Sequence, residues 1–146
     1  MSPPRLATIG YEAATQPDVI GRLRAAGVKV LIDVRAVAAS RRAGFSKTVL
    51  AASLNEAGIA YRHLRQLGTP KPGRDAARHG RIAEMHDIFN AHMAEPAAQK
   101  ALAEAIAIAR DKPAALLCFE ADAARCHRRI VAGLMAEELG CEVVDL

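Results

Sequence analysis

Apolar residues along the chain fall into alternating short and long groups, separated by glycine, proline and small polar residues. Leu6 to Gly10 (LATIG) is a short apolar run closed by glycine and predicts a strand. Residues 16–26 place Val19, Ile20 and Leu23 at helical spacing, with Thr15 as cap and Pro17 in the first turn. Val28 to Val34 (VKVLIDV) is β-branched and almost continuously apolar, the pattern of a strand covered on both faces of a parallel sheet. Ser46 precedes a second helix with an apolar stripe at Val49, Leu50 and Leu54, and Ile59 to Leu64 alternates like a strand. Helical spacing then runs from Ile82 to Arg110, broken at Glu95-Pro96 because proline disfavours helix in the residue before it. Ala114 to Phe119 predicts a strand, Ala123 to Leu139 a helix and Glu142 to Val144 a closing strand. Residues 35–45 and 66–80 read as loops. The second is rich in glycine and proline, and a loop of that length is usually functional or mobile.

Strands alternating with helices predict a three-layer α/β fold, Rossmann-like, with a mostly parallel sheet of about five strands and helices on both faces. Right-handed crossovers and economy favour the strand order 3-2-1-4-5. That order puts a topological switch point between the first and fourth strands, and ligands of open α/β sheets bind there, beyond the carboxyl ends. Gly10 and Tyr11, Asp33 and Arg35, His63, and Cys118 and Glu120 all fall at such ends. No repeat or linker divides the chain, so residues 1–146 are expected to form a single domain.

Composition narrows the classes. No run approaches the roughly 18 apolar residues of a membrane span. The start, MSPPRLATIGYE, lacks the apolar core of a signal peptide, so a cytoplasmic protein with no membrane partner is expected. The three cysteines, Cys118, Cys126 and Cys141, are an odd count and argue against a disulfide framework. The net charge is +4, but residues 35–81 hold ten cations and two anions, leaving the remainder acidic. This asymmetry predicts a basic face for an anionic partner, either a small molecule or a nucleic-acid backbone. Only five aromatic residues and no helix-turn-helix or RNA-binding signature leave base readout disfavoured. GxGxxG and GxxxxGK[ST] patterns are absent, and no cofactor is expected.

Four stretches carry candidate chemistry. Asp33 closes an apolar run, where a carboxylate needs a partner, and Arg35 lies on the same side of an extended chain. In SRRAGFS (40–46), Ser40 and Arg41 precede a helix start, a chemically reasonable phosphate seat. Tyr11 follows the first strand at the same edge. In LLCFEADAARCHRRI (116–130), Cys126 and His127 are expected in the first turns of the last helix, where a thiol beside an imidazole can be activated. The arginines there, Arg128 among them, put positive charge at the positive end of a helix, which asks for an anion. The leading expectation is a site that binds or processes a phosphate-bearing ligand: a nucleotide, nucleic acid or phosphorylated metabolite. Arg35, Ser40, Arg41, Arg128 and Tyr11 would bind it. Asp33 and Glu120 would act as orienting groups or general acid and base, and Cys126 with His127 as nucleophile or redox pair. One alternative is a non-enzymatic interaction module whose polar cluster is a structural ion-pair network. A second is zinc at Cys118 and Cys126. It is the weaker because no CxxC knuckle is present and neighbouring helical residues point about 100° apart.

In their order along the chain, TIGYE (8–12), DVR (33–35), SRRAGFS (40–46), IAYRHLRQLG (59–68) and CFEADAARCHRRIVAGL (118–134) resemble the bacterial and archaeal family catalogued as domain of unknown function 488. The most specific parts are DVR followed by SR, and C-x-E followed by CHR. Tyr11 and Glu12 depart from a commoner TIGHS start. The resemblance implies an α/β fold and no established reaction.

Overall fold

Five of the apolar runs lie side by side as parallel strands in the computed structural model, which describes residues 4–146. The strands are β1 (Leu6–Gly10), β2 (Val30–Asp33), β3 (Ala60–His63), β4 (Ala114–Cys118) and β5 (Val143–Asp145). The helices are α1 (Gln16–Ala25), α2 (Lys47–Glu56), α3 (Lys71–Arg78), α4 (Ile82–Met93), α5 (Pro96–Asp111) and α6 (Arg128–Leu139). Short 3-10 turns occupy Arg65–Leu67 and Ala123–Arg125.

The sheet order is β3-β2-β4-β1-β5, which corrects the expected 3-2-1-4-5. β4 (AALLC), buried at every position as β1 and β2 also are, takes the centre, paired in register with both β1 and β2. β1 carries Thr8, whose hydroxyl donates to Asp145 of the edge strand β5 at 2.5 Å.

Alternation sends successive strand residues to opposite faces. Leu6, Ile32, Leu116 and Cys118 join one core with Met85 and Phe89 of α4, Ala105 of α5 and Val131 of α6. Ala7, Ile9, Leu31 and Leu117 join the other with Val19 and Leu23 of α1 and Leu50 and Leu54 of α2. The helices that follow β1 and β2 thus cover one face, and those that follow β3 and β4 the other. Central β4 differs in this from both its neighbours, so the crevice opens around the carboxyl end of β4.

Local chemistry explains most boundaries. Thr15 and Asp18 form a reciprocal capping box at the start of α1. Pro96 opens α5 at a position where its missing N–H costs nothing. Two segments correct the expectation. Residues 66–80 are not one loop: Pro72 lies in the first turn of α3, where proline is tolerated, and Gly73 and Ala76 are buried under it. The last helix starts at Arg128 and not Ala123, because Cys126 is extended (φ −125°, ψ 142°) and interrupts the run.

Two close approaches fix the loops at the carboxyl edge. A Cβ on Gly10 would lie 1.8 Å from the Glu120 carbonyl oxygen, so only glycine lets β1 end against the loop after β4. A Cβ on Gly68 would lie 2.2 Å from the Ala36 nitrogen, which brings the segment after β3 against the loop after β2.

Candidate functional site

β2 ends at Asp33, and the chain continues extended, so Arg35 returns to the same side. Its Nε and Nη2 donate to the two Asp33 carboxylate oxygens at 2.9 and 2.7 Å. Its Nη1 donates to the Tyr11 hydroxyl at 3.1 Å and the Phe45 carbonyl at 2.8 Å. Asp33 also accepts from the Arg35 amide and from the Tyr61 hydroxyl, the latter at 2.5 Å. Burial alone would lower the Arg35 pKa, but the Asp33 carboxylate outweighs it and the guanidinium is held more firmly protonated than usual. Burial, reinforced by the bond to Asp33, pushes the Tyr61 hydroxyl well above its ordinary range. Tyr11 stacks on Phe45 with ring centres 4.3 Å apart and meets Phe119 edge-on. The predicted partnership of Asp33 and Arg35 is therefore present, and its donors and acceptors are spent on protein groups.

Cys118, Cys126 and His127 converge. Their ligand atoms all lie within 4.8 Å of one another, and all three residues are buried. His127 Nδ1 is 3.7 Å from each sulfur. Its Nε2 lies 2.7 Å from the Val34 carbonyl, and since a carbonyl only accepts, Nε2 carries the proton. The expected 100° divergence of Cys126 and His127 does not occur, because Cys126 is extended and His127 caps α6. The Cys118 thiol also reaches a Glu120 carboxylate oxygen at 3.5 Å. Burial first, and the neighbouring Cys118 second, push the Cys126 thiol up, so as a free thiol it stays protonated.

Arg128 is turned inward. It is 1 % exposed, and its guanidinium donates to the carbonyls of Glu120 (2.5 Å) and Ala121 (3.3 Å). The charge at the start of α6 thus holds the loop after β4. Its Nε is a buried donor without a partner among the described residues. In the 40–46 loop, the Ser46 hydroxyl bonds both the amide and the carbonyl of Ser40 in place of capping α2. The Ser40 hydroxyl accepts from the Arg42 amide. Arg41, Ser40 and Asp33 lie outside the main cavity, whereas Tyr11, Arg35, Glu120, Cys126 and His127 line it.

That cavity holds about 570 Å³ at the carboxyl edge. Its floor includes the cysteines and His127, and its rim includes Glu12, Phe119 and Arg125. The opposite elements supply Thr69, Arg74, Arg78 and Met85. Arg74 donates to the Thr69 carbonyl at 2.9 Å, and Arg78 pairs with Asp75 within α3. Among the described residues, no carboxylate lies within ion-pair distance of Arg125. The α3 contribution is not anticipated from the sequence, since residues 66–80 read as a loop. Pro72, read as the first-turn proline of a helix continuing through Arg74 to Arg78, is the signal that finds it.

No described helix is long and apolar enough to cross a membrane. Residues 16–135 match the family model described as Domain of unknown function DUF488, and the chain belongs to that family. No curated protein and no solved structure matches the chain significantly.

Proposed function

We propose that this member of the DUF488 family binds a small phosphate-bearing ligand, a nucleotide or a phosphorylated metabolite, in the cavity at the carboxyl edge of its sheet. The observation that carries the reading is Arg125, which lines the cavity and has no acidic partner among the described residues. Arg74 adds a second guanidinium, steadied by the Thr69 carbonyl, with the rest of its fork uncommitted. The cavity lies within the usual range for small-molecule sites, roughly 300–1,000 Å³. Phe119 is 40 % exposed and gives it an apolar ring, which suits a nucleobase or another flat group.

The roles divide along the hydrogen bonds. Arg35 and Arg128 give their donors to protein acceptors and act as framework, which is where the structural-network alternative fits. Glu120 lines the cavity with no ion pair among the described residues and would serve as general acid or base. Cys126, protonated by burial, is poorly suited to act as a free nucleophile.

Calorimetric titration with inorganic phosphate, a nucleoside monophosphate and a sugar phosphate tests this. Saturable binding of at least one is expected. It should weaken about tenfold or more in Arg125→Ala and in Arg74→Ala, as loss of a charge-assisted hydrogen bond implies. Arg24→Ala, on the exposed side of α1, should leave it unchanged. No saturable binding, or equal weakening in all three variants, would overturn the reading. Salt-sensitive binding of an oligonucleotide alone would replace it with backbone contact.

A further inference from the structure

We infer that Cys118, Cys126 and His127 form a metal site for a single Zn²⁺, with its fourth coordination position open to the cavity. The two sulfur-to-Nδ1 separations are both 3.7 Å. Zinc bonds of about 2.3 Å to sulfur and 2.0–2.1 Å to nitrogen at tetrahedral angles require about 3.6 Å. Both sulfur–nitrogen separations therefore stand close to the spacing that the ion demands, and all three ligand atoms lie within 4.8 Å of one another.

The surroundings match as well. The Val34 carbonyl accepts a hydrogen bond from the Nε2–H of His127, so in the neutral ring the Nδ1 lone pair faces both sulfurs. Metal-bound histidines are characteristically oriented this way through their other nitrogen. The Arg128 amide points at Cys126 Sγ across 3.5 Å, a donor that favours a thiolate over a thiol. Charge balances: Zn²⁺ with two thiolates and a neutral imidazole is neutral overall, so a buried site takes the ion without net charge. Binding then converts two thiols to thiolates and releases two protons, with the sulfur lone pairs forming the new bonds and no change of oxidation state.

Two thiolates and an imidazole select a borderline-soft ion over magnesium or calcium. Three protein ligands with the fourth position toward a cavity is the arrangement of a zinc ion that meets a ligand, since closed structural sites use four. All three residues line the cavity, which gives the ion its entry path. As packing alone, two small buried thiols around a histidine would need no such cavity and no common focus for their lone pairs. The inference does not depend on the phosphate reading, because metal uptake is measured without any organic ligand.

The test is titration of the metal-free full chain with Zn²⁺ against a chromophoric chelator, with Co²⁺ as spectroscopic substitute. One ion per chain and release of two protons are expected, together with a rise in Tm. Co²⁺ should give thiolate charge-transfer bands and the intense visible bands of a tetrahedral centre. Cys118→Ser, Cys126→Ser and His127→Ala should each weaken Zn²⁺ binding by more than the roughly 10–100-fold that loss of an outer-shell partner costs. Cys141→Ser should bind like the native chain. Absence of stoichiometric uptake, a Co²⁺ spectrum without thiolate bands, or undiminished binding in Cys118→Ser and Cys126→Ser would overturn the assignment. The native-chain Co²⁺ spectrum decides the matter even if a variant fails to fold.

Discussion

Asp33 and Arg35 meet through two hydrogen bonds of 2.9 and 2.7 Å, and neither residue is more than 5 % exposed. A buried pair of this kind is costly to desolvate, but breaking it costs more, because the survivor is left charged in an apolar setting. Arg35→Ala strips Asp33 of its counter-charge and is expected to lower unfolding free energy by about 3–5 kcal/mol. Asp33→Asn combined with Arg35→Gln should lose less than the sum of the single changes, since neither partner is then stranded. Urea denaturation of the native chain, Arg35→Ala, the two single changes Asp33→Asn and Arg35→Gln, and the double variant measures both quantities. A loss below about 1 kcal/mol in Arg35→Ala would mean that water replaces the guanidinium easily and that the edge is more open than its burial indicates.

Glycine substitutions separate steric from entropic effects within one chain. Gly10→Ala drives a methyl group into the Glu120 carbonyl, which is backbone and cannot swing away. It should cost more than about 2 kcal/mol and displace the loop after β4, as strain and overpacking together imply. Gly21 lies within α1 with nothing within 4 Å of its added Cβ. Gly21→Ala should stabilise by about 0.4–1 kcal/mol through reduced freedom of the unfolded chain. Thermal unfolding of the two variants reads opposite signs.

The strands and most helices are legible in the sequence because apolar periodicity reports local burial, and burial here follows it closely. LATIG, for example, is a strand over its whole length. Strand order is less legible: LATIG and AALLC both read as buried, and the apolar pattern does not say which of them pairs with the edge strand β5. The convergence of DVR with C-x-E…CHR follows from parallel topology, which brings strand ends together whatever their distance in sequence. The grouping of Cys126 with His127 does not follow from spacing. It depends on one extended residue that turns the Cys126 sulfur back toward Cys118, and the presence of His127 at a cap alters where both side chains point. The α3 wall is missed for a related reason: Pro72 and Gly73 read as breakers, although proline in a first helical turn is a start signal.

Tyr61 supplies a pH dependence whose sign is fixed. Its hydroxyl donates to Asp33, so burial and a neighbouring negative charge raise its pKa above the ordinary value of 10.0. The native state thus holds the proton more tightly than the unfolded state. That stabilisation is fully present below pH 10.0 and is lost as pH rises through the native value. Chemical denaturation at increasing alkaline pH should show native Tyr61 protein losing more stability above pH 10.0 than Tyr61→Phe. Tyrosinate absorbance should show a late-ionising component that Tyr61→Phe removes. Parallel decline of the two proteins would mean that the Tyr61–Asp33 bond does not persist in solution.

Arg128 offers the sharpest separation of local from global effects. Its guanidinium holds the Glu120 and Ala121 carbonyls, and through them the loop between Cys118 and Cys126. Its Nε, however, is buried without a partner among the described residues, a cost the native state carries. Arg128→Met keeps a long apolar stem, removes that unpaired donor and releases both carbonyls. The gain and the loss oppose each other, so global stability should change by only about 1 kcal/mol. The loop should nevertheless open more often, because the remaining bonds are few. The Glu12 amide donates to the Phe119 carbonyl, the Ala121 amide to the Glu12 side chain and the Ala124 amide to the Asp122 side chain, while the Arg125 and Cys126 amides bond only within the loop, to Asp122 and Ala123. Hydrogen exchange followed by mass spectrometry should show faster exchange confined to residues 119–126, with β2 and β4 unchanged. Uniform acceleration across the sheet would instead make Arg128 a core-packing residue, and the loop at the mouth of the cavity would then owe its position to β4 alone.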